Sequence, residues 1–418
     1  HVKNPVNTIF SMSLQFGLGT IENPALSQAA QYVALIGTKD KSFDEFKEAL
    51  QRIGSKIEVF ANSNYFGYSI SGMDMYYDET LELLNEYMTQ MHVREDDRQK
   101  ISKLVESSKI MRDREVKDPS TAGRALRDYV LWGKKSPFLR RSTIKEVESM
   151  NPAFLVQQAK DAMKYEVDIM YTGTLSKVSV INSIEKTLRI SSELSDTKSP
   201  ITIDYTPHTR NKVFMIDDPE AVQSQIYILA EGDVLDMEQR SVSDVFINYF
   251  GRGMASIVFQ EIREFRSLAY TARGYYINRP DVNMKGYFYG YIGTQVDKTM
   301  DAISTYIDIF KNMPQKENRI NSIRTGLTQS INTRKPAWRR QALYVSNLRK
   351  QGYKEDPNKF EYNVYKNVEF DDIIEFHKSK IKKDPLVITV VTDRSKINID
   401  KILDYGELIE LKKEKVFN

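Results

Sequence analysis

The strongest constraint on this chain is that it repeats its own order of elements. Asp78-Glu79-Thr80-Leu81 overlays on Asp297-Lys298-Thr299-Met300 at an offset of 219 residues, and Val167 to Tyr171 overlays on Val387 to Val391 at an offset of 220. Two separate segments giving nearly one offset predict a duplicated unit. A length of 418 residues leaves each copy about the size that a single core sustains. The boundary is predicted in the polar, proline-containing stretch between Ser191 and Lys212. That gives a first domain over 1–200, a linker over 201–212 and a second domain over 213–418.

Each copy mixes two periodicities. Phe10, Met12, Leu14, Phe16 and Leu18 alternate with Ser11, Ser13 and Gln15, which predicts a strand with one face on a core. Asn23-Pro24 then opens a helix whose apolar face is Leu26, Ala29, Ala30, Val33 and Ala34, closing at Gly37. Ser42 with Glu45 three residues on predicts a second helix start with a capping box. Strand sequence follows from Ile57 to Ser71. A long charged helical section runs from about Glu95 to Trp132, broken near Asp118-Pro119. A helix near Pro152 to Met163, a strand at Val167 to Tyr171 and a helix at Val178 to Leu188 complete the first copy.

The second copy opens with a strand at Val222 to Ala230 and a helical stretch from about Arg240 to Phe265. Strand sequence then runs from Leu268 to Thr294. Basic helical sequence broken at Pro336, a helix near Phe370 to Ile381 and a strand at Leu386 to Val391 follow. Strands with one apolar face, separated by helical pairs, predict an α+β fold built twice. Each copy is a mostly antiparallel sheet covered on one side by helices.

Composition removes several classes. Lys and Arg exceed Asp and Glu by only 3, too balanced to mark a nucleic-acid or membrane-surface protein. No apolar run approaches the roughly 20 residues needed to span a bilayer. The absence of Cys excludes disulfides, thiolate zinc sites, iron–sulfur ligation and a cysteine nucleophile. The first residue is His1 rather than Met, which fits a processed product or the second part of a longer polypeptide.

Local motifs for chemistry are few. The four histidines, His1, His92, His208 and His377, are too far apart in sequence to form a local zinc pair, and His208 and His377 are read as surface residues. Gly251-Arg252-Gly253 lacks the Lys-Ser/Thr of a phosphate loop. The basic cluster Arg334-Lys335 and Arg339-Arg340 around Trp338 reads as a solvated helix face. Tyr287, Tyr289 and Tyr291 share one strand face and read as cross-strand aromatic packing. What remains is Phe259-Gln260-Glu261-Ile262-Arg263-Glu264-Phe265-Arg266-Ser267-Leu268-Ala269-Tyr270, where a helix passes into a strand. Arg263 in the last turn and Tyr270 early on the strand could act as a donor pair toward a substrate carbonyl. Taken alone, Arg263 is better explained by the helix C-terminal dipole or by pairing with Glu264.

At these residues the chain resembles the pitrilysin-type zinc metallopeptidases, the inverzincin family that includes insulin-degrading enzyme and the mitochondrial processing peptidases. Gly253-Met254-Ala255-Ser256, the Phe259 to Glu264 run and Leu268-Ala269-Tyr270 look like the signature of that family's non-catalytic half. There an Arg and a Tyr seven positions apart reach into the active site of the other half. Arg263 and Tyr270 have that spacing, whereas Arg266 does not. Where a catalytic half carries H-x-x-E-H, this chain reads Gln28-Ala29-Ala30-Gln31-Tyr32. The region of the third ligand, Ser107 to Ile110, has no carboxylate. Gln28, Gln31 and Tyr32 are expected to share one side of a helix whose metal chemistry is missing.

The resemblance implies the non-catalytic half of a zinc-dependent metalloendopeptidase, inactive alone. Zinc and the general base would come from a companion half with intact H-x-x-E-H, in the same polypeptide or a separate chain. This chain would hold no metal and would offer Arg263 and Tyr270 to unfolded peptide substrates in trans. The alternative is an inactive scaffold or peptide-binding assembly subunit of the same fold. No nucleic-acid partner and no membrane span are expected, and among compartments the bacterial periplasm is favoured.

Overall fold

In the computed structural model, the described residues are 1–334 and 336–418. Lys335 of the basic cluster therefore lies outside the described residues. Two sheets organise the chain. The first has five strands in the order Val2–Lys3, Val167–Gly173, Ile9–Phe16, Phe66–Met73 and Lys56–Ala61. The alternation in Ile9–Phe16 does what period two demands: Phe10, Met12, Leu14 and Phe16 are at most 1 % exposed, and their core is closed by the helices that follow. The strand sequence after Ile57 resolves into two strands around a tight turn. There Asn62 Oδ1 accepts from the backbone N–H groups of Asn64 and Tyr65, both at 2.9 Å.

Helix ends follow local chemistry. Phe43–Arg52 opens with the Ser42/Glu45 capping box, both reciprocal bonds present. The first helix, Leu26–Val33, is shorter than its apolar pattern: it ends before Gly37, which instead begins a two-residue strand. The charged section splits into Lys100–Lys117 and Pro119–Trp132. Asp118 caps the latter through Ser120 and Thr121, with Pro119 in the first turn.

The second sheet has six strands in the order Ala269–Ile277, Tyr287–Gln295, Gln223–Glu231, Leu386–Thr392, Lys212–Asp217 and Glu407–Leu411. Both sheets are mixed. Antiparallel pairs dominate, with parallel pairing of Val2–Lys3 to Val167–Gly173 and of Lys212–Asp217 to both of its neighbours. The overlaid threonines Thr80 and Thr299 are both fully buried, hydrogen-bonded to Ser55 and Ser224 respectively. The helix begins three residues before Thr80 but at Thr299 itself.

The helical stretch predicted from Arg240 to Phe265 is interrupted. Met237–Phe250 ends at Gly251, and a π-helical turn, Phe259–Glu264, follows after a short loop. The break has a steric cause. A Cβ on Gly251 would stand 2.2 Å from the backbone of Gly274, so helix end and strand touch main chain to main chain.

The sheets are locked by exchange of helices. The Pro119–Trp132 helix precedes the second sheet by some eighty residues, yet lies against the face of that sheet opposite its own helical layer. Ala122, Ala125, Leu126, Val130 and Leu131 pack there on Phe214, Ile216, Leu229, Val387 and Val391. Gly123 permits the approach, since a Cβ there would meet Gln225 Cβ at 2.8 Å. In return, Gln341–Lys350 lies against Val167–Gly173 of the first sheet, where Lys350 Nζ meets Asp168 at 2.6 Å. The second sheet is thus covered on both faces. Its strand Leu386–Thr392 accordingly reads as a continuous apolar run, buried throughout.

Cover on both faces departs from the one-sided cover predicted for each sheet, because a helix of the first unit packs on the second sheet, and the reading of His377 is corrected as well. His377, taken for a surface residue, is 5 % exposed, and its Nε2 lies 2.7 Å from the carbonyl of Phe310, among Phe246 and Phe310. A helix position beside Lys378 gave no sign of this, because burial depends on what packs over the helix. His208 is half-buried, with Nε2 3.1 Å from the carbonyl of Val130.

Two predictions follow from this packing. Leu126→Ala removes a fully buried side chain from the contact between the halves and should cost about 2–5 kcal/mol in denaturant unfolding; a loss within experimental error would show that the helix does not hold the sheets together. Burial pushes the imidazoles of His208 and His377 below their ordinary value. As pH falls, the unfolded chain then takes up those protons first. Stability should be full above a pH of about 6.5 and decline below it. His377→Gln should flatten that decline in unfolding curves measured across the same range; an unchanged slope would contradict it.

Candidate functional site

The helix-to-strand junction builds the one place where the sequence singled out a donor pair. Over Phe259–Glu264 the main chain widens to π geometry, a form that recurs at functional sites. It closes with the N–H of Ser267 bonding the carbonyl of Arg263 at 3.1 Å and that of Leu268 bonding Ile262 at 2.9 Å. Each of these spans one residue more than a Schellman close does. Ser267 takes a φ of 50°, the left-handed region that non-glycine residues rarely enter. This reversal sends the chain back as the edge strand Ala269–Ile277. The register slips between Ala269 and Thr271, so Tyr270 sits on a bulge.

The reversal brings Arg263 and Tyr270 together. The guanidinium lies between two rings, 4.9 Å from the centroid of Phe259 and 4.9 Å from that of Tyr270. Its only ion pair among the described residues is a loose one, Nε to Glu264 Oε1 at 3.6 Å, and the side chain is 39 % exposed. Tyr270 is 74 % exposed. Arg266 is engaged elsewhere, bonded to Glu261 at 2.6 Å. Burial pushes the Glu261 carboxyl up, but hydrogen bonds from Arg266 and Lys316 outweigh it and hold the group below its usual value. Arg263 and Tyr270 therefore stand side by side at the surface, two hydrogen-bond donors whose polar ends are open to an incoming oxygen.

The Gln28, Gln31 and Tyr32 positions fall on Leu26–Val33, but not on one side as expected. Gln28 and Tyr32 are buried at 7 % and 0 % exposure, while Gln31 is exposed and reaches only Ser27 at 3.5 Å. Positions four apart stack on one helix face; position 31 lies about 100° round from 32, enough to clear the core's edge. The Tyr32 hydroxyl donates to the carbonyl of Asp97 at 3.1 Å, and burial pushes its pKa up to about 12, so it stays a neutral donor. Gln28 Oε1 is buried without a partner among the described residues. An amide, a protonated phenol and a side chain turned to solvent do not fit Zn²⁺. Ser108, in the region of the third ligand, bonds its own helix at Leu104. Among the described residues no three His, Asp or Glu side chains gather as a metal site, and no helix is long and apolar enough to cross a membrane.

The chain is thus two α+β units locked by exchanged helices, with a first-unit helix that offers no metal ligands and an Arg/Tyr pair at the rim. Residues 169–327 match the family model described as the peptidase M16 inactive domain. An uncharacterized zinc protease of Streptomyces coelicolor is 22 % identical over 301 residues, 69 % of this chain and 64 % of that one. The chain thus spans just under two thirds of that relative's length. In fold it is similar to the crystal structure of a peptidase M16 inactive domain from Pseudomonas fluorescens, with TM-score 0.70, 13 % identity and 94 % of each chain covered. It is also similar to a periplasmic protease of Escherichia coli, with TM-score 0.68 and 12 % identity, covering 93 % of this chain but 43 % of the other. The likeness is thus to the inactive-domain type of the peptidase M16 family, with the family model covering residues 169–327.

Because the Tyr270 ring is exposed and the Phe259 ring only partly buried, Arg263 carries little of the fold. Arg263→Ala should shift unfolding stability by no more than about 1 kcal/mol, the scale of an exposed cation–π contact; a loss of several kcal/mol would mean that the arginine is a structural support.

Proposed function

We propose that this chain is the non-catalytic half of a zinc-dependent metalloendopeptidase and lends Arg263 and Tyr270 to the active site of a companion half. The observation that carries the reading is the Arg263 guanidinium stacked 4.9 Å from the Tyr270 ring, both with their polar ends toward solvent. Stacking restrains two side chains that would otherwise sample many rotamers, so their N–H and O–H groups are pre-organised before a substrate arrives. In the assembled enzyme the pair would donate to the scissile carbonyl and then to the tetrahedral oxyanion, where charge develops. The metal and the base belong to the companion, with intact H-x-x-E-H, fused or separate; when bound there, zinc supplies Lewis-acid activation of water. The substrate would be an unfolded polypeptide, and the periplasm the compartment. The share of the Escherichia coli protease that this chain spans, 43 %, agrees with one half of a fused pair.

The test is cleavage of a quenched fluorescent, unstructured peptide by this chain alone and with its companion, with zinc quantified in both samples. Silence alone and zinc-dependent activity together are expected. Arg263→Ala and Tyr270→Phe should each lower kcat by about 10²–10³-fold with zinc content unchanged, the usual loss for one oxyanion donor. Activity indifferent to both substitutions would leave a scaffold that keeps the fold without the chemistry.

A further inference from the structure

Beyond the Arg/Tyr pair, the edge strand Ala269–Ile277 leads onto a surface that no known role uses. On its face away from the helical core, Tyr275 stacks on Tyr289 at 5.3 Å. Tyr227, one strand further in, lies 6.2 Å from Tyr289 and 5.0 Å from Tyr291. The Pro119–Trp132 helix covers the inner strands but leaves Tyr275, Tyr289 and Tyr291 partly open.

Arginines ring this tyrosine array. Arg127 lies 5.1 Å from the ring of Tyr227 and 5.8 Å from that of Tyr289, and Arg252 lies 5.9 Å from that of Tyr275. Arg273 pairs across the strands with Tyr291, and Arg124 sits one helical turn before Arg127. Arg124, Arg252 and Arg273 are exposed. Among the described residues only Arg127 of the four has a carboxylate within ion-pair distance, Asp128 at 2.6 Å. The nearby Asp118 is occupied in capping its own helix. At Tyr289 burial pushes the phenol up against the opposing fields of Arg127, Arg273 and Arg252, so all three arginines bear on one ring. Four cations face two carboxylates engaged on their own helix. The further carboxylate in the field of Arg252, Asp244, is partly buried and bonded by the Tyr365 hydroxyl. This leaves the face with an excess of positive charge, in a chain whose net charge is only +3.

We propose that this tyrosine–arginine face binds an acidic, aromatic-containing stretch of an extended polypeptide. Glutamate and aspartate side chains would take the unpaired guanidiniums, phenol hydroxyls would donate to them, and aromatic side chains would stack on the rings. The choice of a polypeptide as occupant rests on the reading of the chain as half of a peptidase. It is supported by the strand itself: Ala269–Ile277 is a free edge whose backbone can align an extended chain. Along it Arg273 and Tyr275 stand about 10 and 17 Å from Tyr270, at roughly 3.4 Å per residue. Acidic residues some three to five positions from the scissile bond would therefore meet this face while the bond lies at Arg263 and Tyr270.

The test uses the full chain alone, with direct binding read by fluorescence anisotropy. The probes are a labelled peptide rich in Glu and Tyr, the same peptide with Lys for Glu, and an oligothymidylate. The acidic peptide should bind at least about tenfold more tightly than the basic one and should weaken with added salt. Arg124→Gln combined with Arg273→Gln, both at exposed positions, should cost about tenfold in that affinity while circular dichroism stays unchanged. Equal binding of acidic and basic peptides, indifference to the double substitution, or oligothymidylate binding as tightly as the acidic peptide would each overturn the proposal. Acidic-peptide binding that survives while Arg263→Ala leaves cleavage untouched would uphold this face and remove the catalytic reading instead.

Discussion

The structure depends on one contact, the apolar face of Pro119–Trp132 laid on the back of the second sheet. Helix and sheet bury Ala122, Ala125 and Leu126 completely, and this is the non-directional burial that drives association between elements distant in sequence. Gly123 sets how close they come. With the helix in place, the central strands of the second sheet are dry on both faces. The reciprocal contact, Gln341–Lys350 on the first sheet, is polar by comparison, resting on Lys350 with Asp168 and Ala342 with Thr172. One apolar and one polar clasp give the halves a fixed relation with the linker 201–212 as only one of their connections.

That rigidity matters at the rim. Gly251 against Gly274 ties the end of one long helix to the edge strand main chain to main chain. The π turn and the left-handed Ser267 then have a fixed frame in which to turn Arg263 back toward Tyr270. A backbone conformation of this kind costs about 1–3 kcal/mol and persists where surrounding structure over-determines it. Here the fold holds two exposed donors side by side, and the same strand goes on to present arginines and tyrosines on its outer face.

Some of this was legible along the chain. The Ser42/Glu45 box, the Asp118-Pro119 helix break and the alternation from Phe10 to Phe16 are local, each settled within a turn or a strand by bonds and side-chain directions that neighbours alone dictate. The Arg263–Tyr270 spacing was visible too, though nothing local distinguished that guanidinium from one serving a helix end or Glu264. Other readings failed where burial decided. His377 looked exposed beside lysine but is packed against two phenylalanines. Gln31 was grouped with Gln28 and Tyr32 on helical spacing, yet the edge of the core passes between positions 31 and 32. The predicted helix from Arg240 to Phe265 ran through Gly251 because only the facing Gly274 shows why the chain must break there.

By itself the sequence determined where some helices start, as at Ser42 and Asp118, that the chain has no cysteine chemistry, and that positions 28–32 carry none of the usual zinc-binding side chains. These follow from residue identity and from interactions spanning a few positions. Only the tertiary structure decided that the Pro119–Trp132 helix crosses to the other sheet, that Tyr32 donates to Asp97 in a dry core, and that Arg263 stacks between Phe259 and Tyr270. An apolar helix face specifies that it must be buried, not what buries it. The partner is chosen by shape and area across distant parts of the chain.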